Sequence, residues 1–281
     1  MNANKLLELK KTANNIRRHI INGVYSAGCG HPGGSLSIAD IMAYLYSVEL
    51  RVDPQNPIDP ARDRFVLSKG HTAPALYGAL AERGFIGKDE ITTLRRIDSR
   101  LQGHPDMKGI PGVDMSTGSL GLGFSAAVGM ALSGKHYGEP YRVYTILGDG
   151  ETEEGQVWEA AMFAAHYKLD NLTAFLDLNG LQIDGDITKV MNPTPHDEKF
   201  LAFGWNVVTI NGHDFSEIEA ALNNAKEVKG KPTLVIAKTL KGKGVSFMEG
   251  KPEWHGQAPK EEQYKIALAD LDKIDEELGG M

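Results

Sequence analysis

Two polar residues follow two apolar segments of the chain and could hold a metal ion between them. The segment YRVYTIL, at 141–147, leads into Asp149, and about 30 residues later the segment TAFLDL, at 173–178, leads into Asn179. If these segments are neighbouring parallel strands joined by one helix, their carboxyl ends lie about 5 Å apart. Aspartate and asparagine oxygens are hard ligands that suit magnesium, with phosphate oxygens and water completing its shell. The spacing therefore predicts a magnesium site that also takes a phosphate.

The residues beside these two ligands favour the close approach of an anion. Gly148 and Gly150 flank the aspartate and let the backbone come near phosphate oxygens. The helix predicted to begin after Gly155 adds the positive end of its dipole. Gly180 and Leu181 can turn the chain so that a main-chain carbonyl also meets the metal. GDG alone is a weak pattern, but GDG on a buried strand, with NG ending the next strand, indicates a diphosphate and metal site.

Four of the nine histidines lie in turns with glycine or proline neighbours. They are His31 in GHPG, His71 in LSKGH, His104 in GHPD and His255 in EWHG. Such turns aim a side chain, and imidazoles bind sugar hydroxyls and move protons near neutral pH. The other five are interpreted as surface or structural, with the last of them, in NGHD after a strand, as the possible exception: His19, His136, His166, His196 and His213.

The elements that must position these residues alternate between strands and helices. Short apolar runs predict strands at 65–67, 143–147, 172–178, 205–210 and 233–237. Helical periodicity is clearest at 73–83, 125–135, 157–167 and 215–228, after an amino-terminal helix that ends near Ala27 and a second that starts at Ser35 or Ser37 and runs through Leu45. This alternation predicts an α/β fold with a parallel sheet of five to six strands and helices on both faces.

Three long loops, rich in glycine, histidine and proline, separate these elements at 97–123, 179–195 and 239–259. Long loops in a compact domain are usually functional or disordered. Each adjoins the predicted carboxyl edge of the sheet, which is where open α/β folds bind ligands. The loops are therefore expected to form the site.

Composition excludes several classes of function. The net charge of −7 argues against nucleic acid as a partner, because phosphate binding needs a basic surface. Cys29 is the single cysteine, so no internal disulfide is possible, and a reducing compartment is expected; an incidental thiol is favoured over a nucleophile. The first 20 residues carry charges throughout, unlike a signal peptide, and no apolar run approaches a membrane span. A cytoplasmic protein without membrane contact is predicted.

Taken in order along the chain, these segments resemble the amino-terminal domain of transketolases, from about residue 10 to 260. The matching segments are GHPG at 30–33, DRFVLSKGH at 63–71, GHP at 103–105, TGSLGLG at 117–123, GDGETEEG at 148–155, NG at 179–180, TLKGKG at 239–244 and HG at 255–256. Ser119 and Leu122 depart from the family loop TGPLGQG. Backbone contacts are expected to survive there, but a polar contact is lost, which bears on donor specificity.

The resemblance implies a thiamine-diphosphate-binding fold of the diphosphate type, formed by residues 1–281 as one domain. Its cofactors would be thiamine diphosphate and magnesium, with calcium or manganese able to replace the metal. The side chains of Asp149 and Asn179 and the carbonyl of Leu181 would hold the metal. Contacts to the cofactor are implied for His71, Gly118, Leu120, Gly148, Asp149, Gly150, Glu154, Asn179 and Lys238.

The same resemblance assigns roles around the reacting groups. His31, His71, His104 and His255 would line the place where a donor ketose meets the thiazolium ring. Glu154 would belong to a relay of carboxylates at the contact with a partner domain. Glu151 and Glu153 are expected to be solvated charges.

A full transketolase chain is more than twice as long and has a second domain, which binds the aminopyrimidine ring and supplies its glutamate. After about residue 260 this chain has one more predicted helix, EEQYKIALADLDKIDEELGG. The resemblance therefore implies the amino-terminal subunit of a split transketolase. Its partner would carry the pyrimidine domain, in an α2β2 heterotetramer that moves a two-carbon ketol unit from a ketose or ketose phosphate to an aldose or aldose phosphate.

Three alternatives compete with this interpretation. The α subunit of a 2-oxo-acid dehydrogenase would share GDG and the later asparagine but has no need for four histidines directed at hydroxyls. A non-catalytic cofactor-binding module would also fit half a site. Dinucleotide binding by the glycines of 118–123 is disfavoured, because no acidic residue follows a suitable second strand.

Overall fold

The computed structural model describes residues 1–280 and has a central sheet of five parallel strands. The strands of this sheet are β1 (Arg64–Leu67), β2 (Val143–Gly148), β3 (Leu172–Leu178), β6 (Asn206–Asn211) and β7 (Thr233–Lys238), and a small antiparallel hairpin consists of β4 (Leu181–Gln182) and β5 (Gly185–Asp186). Their order in the sheet is β1-β2-β3-β7-β6. The predicted α/β class is confirmed, with the strand number at the lower end of the expectation.

Helices cover both faces of the sheet. They are α1 (Ala3–Ala27), α2 (Pro32–Leu36), α3 (Ala39–Tyr44), α4 (Ala73–Arg83), α5 (Leu122–Tyr137), α6 (Gly155–His166), α7 (Ile187–Val190), α8 (His196–Ala202), α9 (Phe215–Glu227) and α10 (Glu261–Gly279). One buried cluster joins the sheet to α1, α3, α4 and α9, and the other joins it to α5, α6 and α8. Because both faces are covered, the strands are apolar throughout.

The longest helix, α1, illustrates why these segments are helical. Asn2 caps its start by accepting a hydrogen bond from the Lys5 backbone N–H at 2.9 Å. Apolar residues recur every three or four positions and are buried: Leu9, Ala13, Ile16, Ile20 and Val24. The helix ends at Gly28, whose φ of 65° is in the left-handed region that glycine adopts without strain. No helix within residues 1–280 is long and apolar enough to cross a membrane.

The second predicted helix differs from the structure. It begins earlier than expected, at Pro32, and it is interrupted at Ser37 and Ile38 before α3. The two predicted capping serines have other partners: the hydroxyl of Ser35 donates to the carbonyl of His31, and that of Ser37 donates to Asp177 in β3. Tertiary contacts therefore override the capping pattern.

The register of β2 and β3 places the two predicted metal ligands side by side. The strands are parallel neighbours, and Gly148 pairs with Asp177 across them. Asp149 and Asn179 therefore follow the carboxyl ends of adjacent strands, as the sequence predicted. The loop after β3 contains the small hairpin, and the loop after β7 contains a 3₁₀ turn over Pro252–His255.

Candidate functional site

A cavity of about 310 Å³ opens at the carboxyl edge of the sheet. Most of the segments singled out in the sequence contribute to its lining. Predicted residues in that lining are His31, His71, Gly118, Leu120, Gly148, Asp149, Gly150, Asn179, Leu181 and His255. Residues not predicted for the site include Gly34, Lys69, Glu151, Asp177, Gln182, Ile183 and Lys241.

The predicted metal ligands converge in this cavity. The carboxylate of Asp149 accepts backbone N–H groups from Gly180 at 2.6 Å and Gly150 at 2.8 Å. The side-chain oxygen of Asn179 accepts the N–H of Leu181 at 3.1 Å. The structure thus brings together one carboxylate, one amide and the main chain of Leu181, and this arrangement follows from the parallel pairing of β2 and β3.

The donor set fits a hard divalent cation only with outside ligands. Within residues 1–280 no group of three or more histidine, cysteine, aspartate or glutamate side chains is arranged to hold a metal. Burial, followed by the nearby charge of Asp177, raises the pKa of Asp149 to about 6. A cation beside Asp149 would stabilise its charged form. Magnesium would therefore need phosphate oxygens and water in addition to these protein oxygens.

The carboxylate of Asp177 is the buried anchor of the site. Lys69 donates to it at 2.6 Å and to the carbonyl of Gly34 at 2.7 Å. Ser37 and Asn179 also donate to this carboxylate, at 2.7 and 2.9 Å. Burial alone would raise the pKa of Asp177, but the charge of Lys69 and these hydrogen bonds hold it below its usual range. A charged residue inside the apolar segment TAFLDL was the sequence signal for this anchor.

The lysine that lines the cavity is Lys241, and the assignment of Lys238 to the cofactor is not supported. Lys238 is the exposed last residue of β7 and is absent from the lining. Lys241, three residues further on, is 1% exposed and donates to the carbonyl of Leu181 at 2.9 Å. Its Nζ also lies 3.0 Å from Nδ1 of His255. Burial lowers the pKa of Lys241 to about 8.

Three of the four predicted histidines form one cluster. The ring centroids of His31, His71 and His255 are 5.1 to 5.5 Å apart. Burial, with help from neighbouring cations, lowers the pKa of His31 to about 4 and that of His255 to about 3, and it lowers that of His71 well below its usual value. All three are therefore neutral at physiological pH, and each ring has one donor and one acceptor nitrogen.

The fourth histidine lies at the rim. His104 is exposed and does not line the cavity, but a Cβ built on Gly118 would lie 3.2 Å from its ring. Gly70 is similarly close to the loop that contains Gly118: a Cβ there would lie 2.5 Å from Oγ1 of Thr117. The SKGH turn and the TGSLGLG loop therefore pack together without room for a side chain between them.

The three glutamates after Asp149 divide differently from the prediction. Glu151, expected to be solvated, is 2% exposed and accepts the N–H groups of Gly121 at 2.8 Å and Gly148 at 3.0 Å. Glu153 is exposed, as expected. Glu154 is also exposed and is absent from the lining of the cavity, so a contact with a partner stays a prediction.

The cavity has unsatisfied capacity for a polar ligand. Nδ1 of His31 is buried and has no hydrogen-bond partner among the described residues. Buried polar groups without partners are rare and costly, and ligands commonly satisfy them. Together with the oxygens of Asp149 and Asn179 and the cation of Lys241, this nitrogen makes the cavity suited to an anionic, hydroxyl-bearing or metal-bound ligand.

Comparison with known proteins places this site in a family. The family model for the transketolase thiamine diphosphate binding domain matches residues 9–272. The chain therefore belongs to the transketolase family through this domain. Its relatives include two proteins that are themselves separate subunits: the 6-deoxy-6-sulfo-D-fructose transketolase subunit SqwG of Clostridium sp. (strain MSTE9) and one subunit of the apulose-4-phosphate transketolase of Phocaeicola vulgatus.

The extent of these matches distinguishes two kinds of relative. The Clostridium subunit is 49% identical over 95% of this chain and 97% of its own length, and the Phocaeicola subunit is 41% identical over 98% of each. The crystal structure of transketolase from Campylobacter jejuni superposes with a TM-score of 0.89 and 35% identity, over 97% of this chain but 43% of that protein. The chain thus matches a split-transketolase subunit in extent and less than half of a single-chain enzyme.

Proposed function

We propose that this chain is the diphosphate-binding subunit of a two-subunit transketolase and acts as one domain. The observation that carries the proposal is the meeting, in one cavity, of the Asp149–Asn179–Leu181 oxygens with three neutral histidines. The oxygens suit a metal and a diphosphate, and the histidines suit a polyhydroxylated substrate. A cytoplasmic location and a role in the pentose phosphate pathway are further parts of this proposal, supported by the single exposed cysteine and by the family.

The metal and the diphosphate would be held by the sheet edge. Asp149, Asn179 and the carbonyl of Leu181 would bind magnesium, and the backbone at Gly148 and Gly150 would approach the phosphates. The ammonium of Lys241 would partly neutralise the diphosphate. When bound, thiamine diphosphate supplies the carbanion chemistry that breaks and remakes a carbon–carbon bond.

The histidines would orient the sugar and handle its protons. A neutral imidazole donates through one nitrogen and accepts through the other, so His31, His71 and His255 can each bind a hydroxyl or a carbonyl oxygen. The unpartnered Nδ1 of His31 is the nitrogen most in need of such a group. Burial lowers the pKa values of these three histidines, which keeps the hydrogen-bonding pattern constant around neutral pH. Ketose and aldose sugars, with or without a phosphate or a sulfonate, are the substrate class that the named relatives suggest.

An apolar surface on α5 and α6 supports a partner subunit. Leu122 begins α5 and is half exposed, and Met162, Phe163 and Tyr167 are exposed on or just after α6. Large apolar side chains grouped at a surface mark a contact with another protein. We assign this face to the subunit that carries the pyrimidine-binding domain, and two copies of each chain would give an α2β2 assembly.

The test is an activity assay with two chains. This subunit is mixed with a candidate pyrimidine-domain subunit, thiamine diphosphate and magnesium, and two-carbon transfer from a ketose to an aldose is followed. Activity is expected only in the mixture and is expected to be lost in Asp149→Ala. Decarboxylation of a 2-oxo acid without ketose cleavage would assign the chain to the dehydrogenases instead, and cofactor binding without any turnover would favour a non-catalytic module.

A further inference from the structure

A chain of charged side chains lies behind the cavity and does not enter it. Arg17 of α1 donates to the carboxylate of Asp40 of α3, and Nδ1 of His213 donates to the same carboxylate at 2.8 Å. All three side chains are at most 17% exposed. Burial alone would raise the pKa of Asp40, but Arg17 and His213 hold it below its usual range. Asp40 is therefore an anion that fixes a cation and an imidazole.

The two ends of this chain of residues bind the loop on both sides of Lys241. Nε2 of His213 accepts the backbone N–H of Leu240 at 2.9 Å. Nε of Arg17 donates to the carbonyl of Lys243 at 3.1 Å. Lys241 lies between these two attachment points, with its ammonium in the cavity.

The proton positions on His213 follow from its partners. The Leu240 N–H can only donate, so Nε2 must be the accepting nitrogen. Asp40 is an anion, so Nδ1 carries the proton. His213 is thus held as one neutral tautomer, and that tautomer is needed for the bond to Leu240.

Close packing adds to the two hydrogen bonds. A Cβ on Gly212, next to His213, would lie 2.5 Å from Cγ2 of Thr239. A Cβ on Gly244 would lie 2.8 Å from Cδ of Arg17. The loop residues on both sides of Lys241 are therefore pressed against the elements that carry His213 and Arg17.

We propose that His213, held by Asp40, is a positioning residue: together with Arg17 it clamps the 239–244 loop and so sets the place of the Lys241 ammonium in the cavity. The consequence for cofactor binding rests on the proposed function, whereas the clamp itself does not. His213 touches neither the cavity lining nor the predicted metal ligands, so its effect passes through the loop.

Two conservative substitutions separate the two bonds of His213. His213→Gln places an amide oxygen near the position of Nε2 and can still accept the Leu240 N–H. His213→Asn places its amide near the position of Nδ1 and can donate to Asp40, but it is too short to reach Leu240. Both variants remove the imidazole, so a purely structural requirement for the ring would affect them alike.

The experiment measures amide exchange by NMR on the full chain and affinity for magnesium thiamine diphosphate, with and without the partner subunit. In His213→Asn the Leu240 amide is expected to exchange about tenfold faster, the change expected for the loss of roughly one net hydrogen bond. Affinity for the cofactor is expected to fall by about the same factor. His213→Gln is expected to stay within about twofold of the parent in both measurements. The amide of Val235, inside β7, is the internal control in every variant.

Equal losses in the two variants, or none in His213→Asn, would overturn the proposal. Gly212→Ala provides a second test that leaves the imidazole intact, because its Cβ must displace Thr239, and it is expected to speed exchange at Leu240 as well. If the parent chain binds no cofactor but the amide results hold, the clamp stands and the proposed function fails.

Discussion

Lys241 determines part of the electrostatic environment of the histidine cluster. Its Nζ lies 3.0 Å from Nδ1 of His255. Burial is the largest cause of the low pKa of His255, and the charge of Lys241 is the next. The same charge contributes to the lowered pKa of His31, after burial and the charges of Arg95 and His104. A single cation thus helps to keep the imidazoles neutral.

Lys241→Met is expected to raise the pKa of His255 from about 3 toward, but not up to, its usual 6.5. The charge is removed while the larger contribution, burial, stays. NMR titration of the histidine ring protons measures this change. Lys238→Met is the matched control, because Lys238 is exposed at the end of β7 and outside the cavity lining. An unchanged His255 titration in Lys241→Met would contradict the assigned coupling.

Glu151 connects three segments of the site from inside the protein. One carboxylate oxygen accepts the hydroxyl of Ser68, after β1, and the N–H of Gly121, before α5. The other oxygen accepts the N–H of Gly148 at the end of β2. Burial raises the pKa of this carboxyl group, and the three donors oppose that shift.

Glu151→Gln is expected to lower the free energy of unfolding by about 1 to 3 kcal/mol. The new NH₂ group would face a backbone or hydroxyl donor where a carboxylate oxygen accepted before. Chemical denaturation of the isolated chain measures the effect. Glu153→Gln, on the exposed side of the same turn, is the control and is expected to change stability by less than about 0.5 kcal/mol. Equal stabilities for the two variants would show that Glu151 is not a structural anchor.

At the scale of residues, the sequence predicted side chains whose position follows from a strand end. Asp149, Asn179 and His71 directly follow β2, β3 and β1, and parallel strands bring their ends to one edge. Lys241 and Glu151 were missed because a charged residue in a polar segment has no sequence feature that distinguishes burial from exposure. Only the folding of the loops over the edge buries them.

At the scale of elements, the strands were predictable and one helix was not. Strands covered on both faces read as continuous apolar runs, so all five central strands were found within one or two residues. The segment from Pro32 to Tyr44 has a helical pattern but is interrupted because Ser37 binds Asp177, which is distant in sequence. Local patterns do not contain such a contact.

The pair α5 and α6 is expected to control assembly more than folding. Met162→Glu with Phe163→Glu places charges on the exposed side of α6, where the isolated chain loses little packing. The isolated double variant should melt close to the parent, while its complex with the pyrimidine-domain subunit should be lost, because buried unpaired charges are costly at an interface. Analytical ultracentrifugation of the mixture measures this loss. Ile97→Glu, at a 92% exposed position outside the α5–α6 face, is the control and should still assemble. Normal assembly of the double variant would move the partner surface elsewhere.

At the scale of the whole molecule, the site is assembled from distant parts of the chain by the strand order. The central strands β2, β3 and β7 bring the GDG, NG and TLKGKG segments together at one edge. The histidines come from the segments before and after the sheet, His31 near the start and His255 near the end. The fold therefore buries several ionisable groups at once, and the stability of the protein should depend on their protonation.

Acidification should destabilise the protein through the neutral histidines. In the folded chain the pKa values of His31 and His255 are about 4 and about 3, below the usual 6.5 that applies after unfolding. Their folded-state pKa values are lowered, so their contribution is complete above pH 6.5 and is lost as the pH falls toward the folded values. Asp149, with a pKa raised to about 6, opposes this trend between pH 6 and its usual 3.8.

Comparison of variants isolates the histidine contribution. In His255→Gln the uptake of protons on unfolding between pH 6.5 and 4 is expected to fall by about one. Denaturation curves measured across this pH range give that number, because the slope of the unfolding free energy against pH counts the protons. His136→Gln, at an exposed position near the end of α5, serves as the control. If the two variants show the same pH dependence, His255 is not held neutral by its burial, and the constant hydrogen-bonding pattern proposed for sugar binding loses its basis.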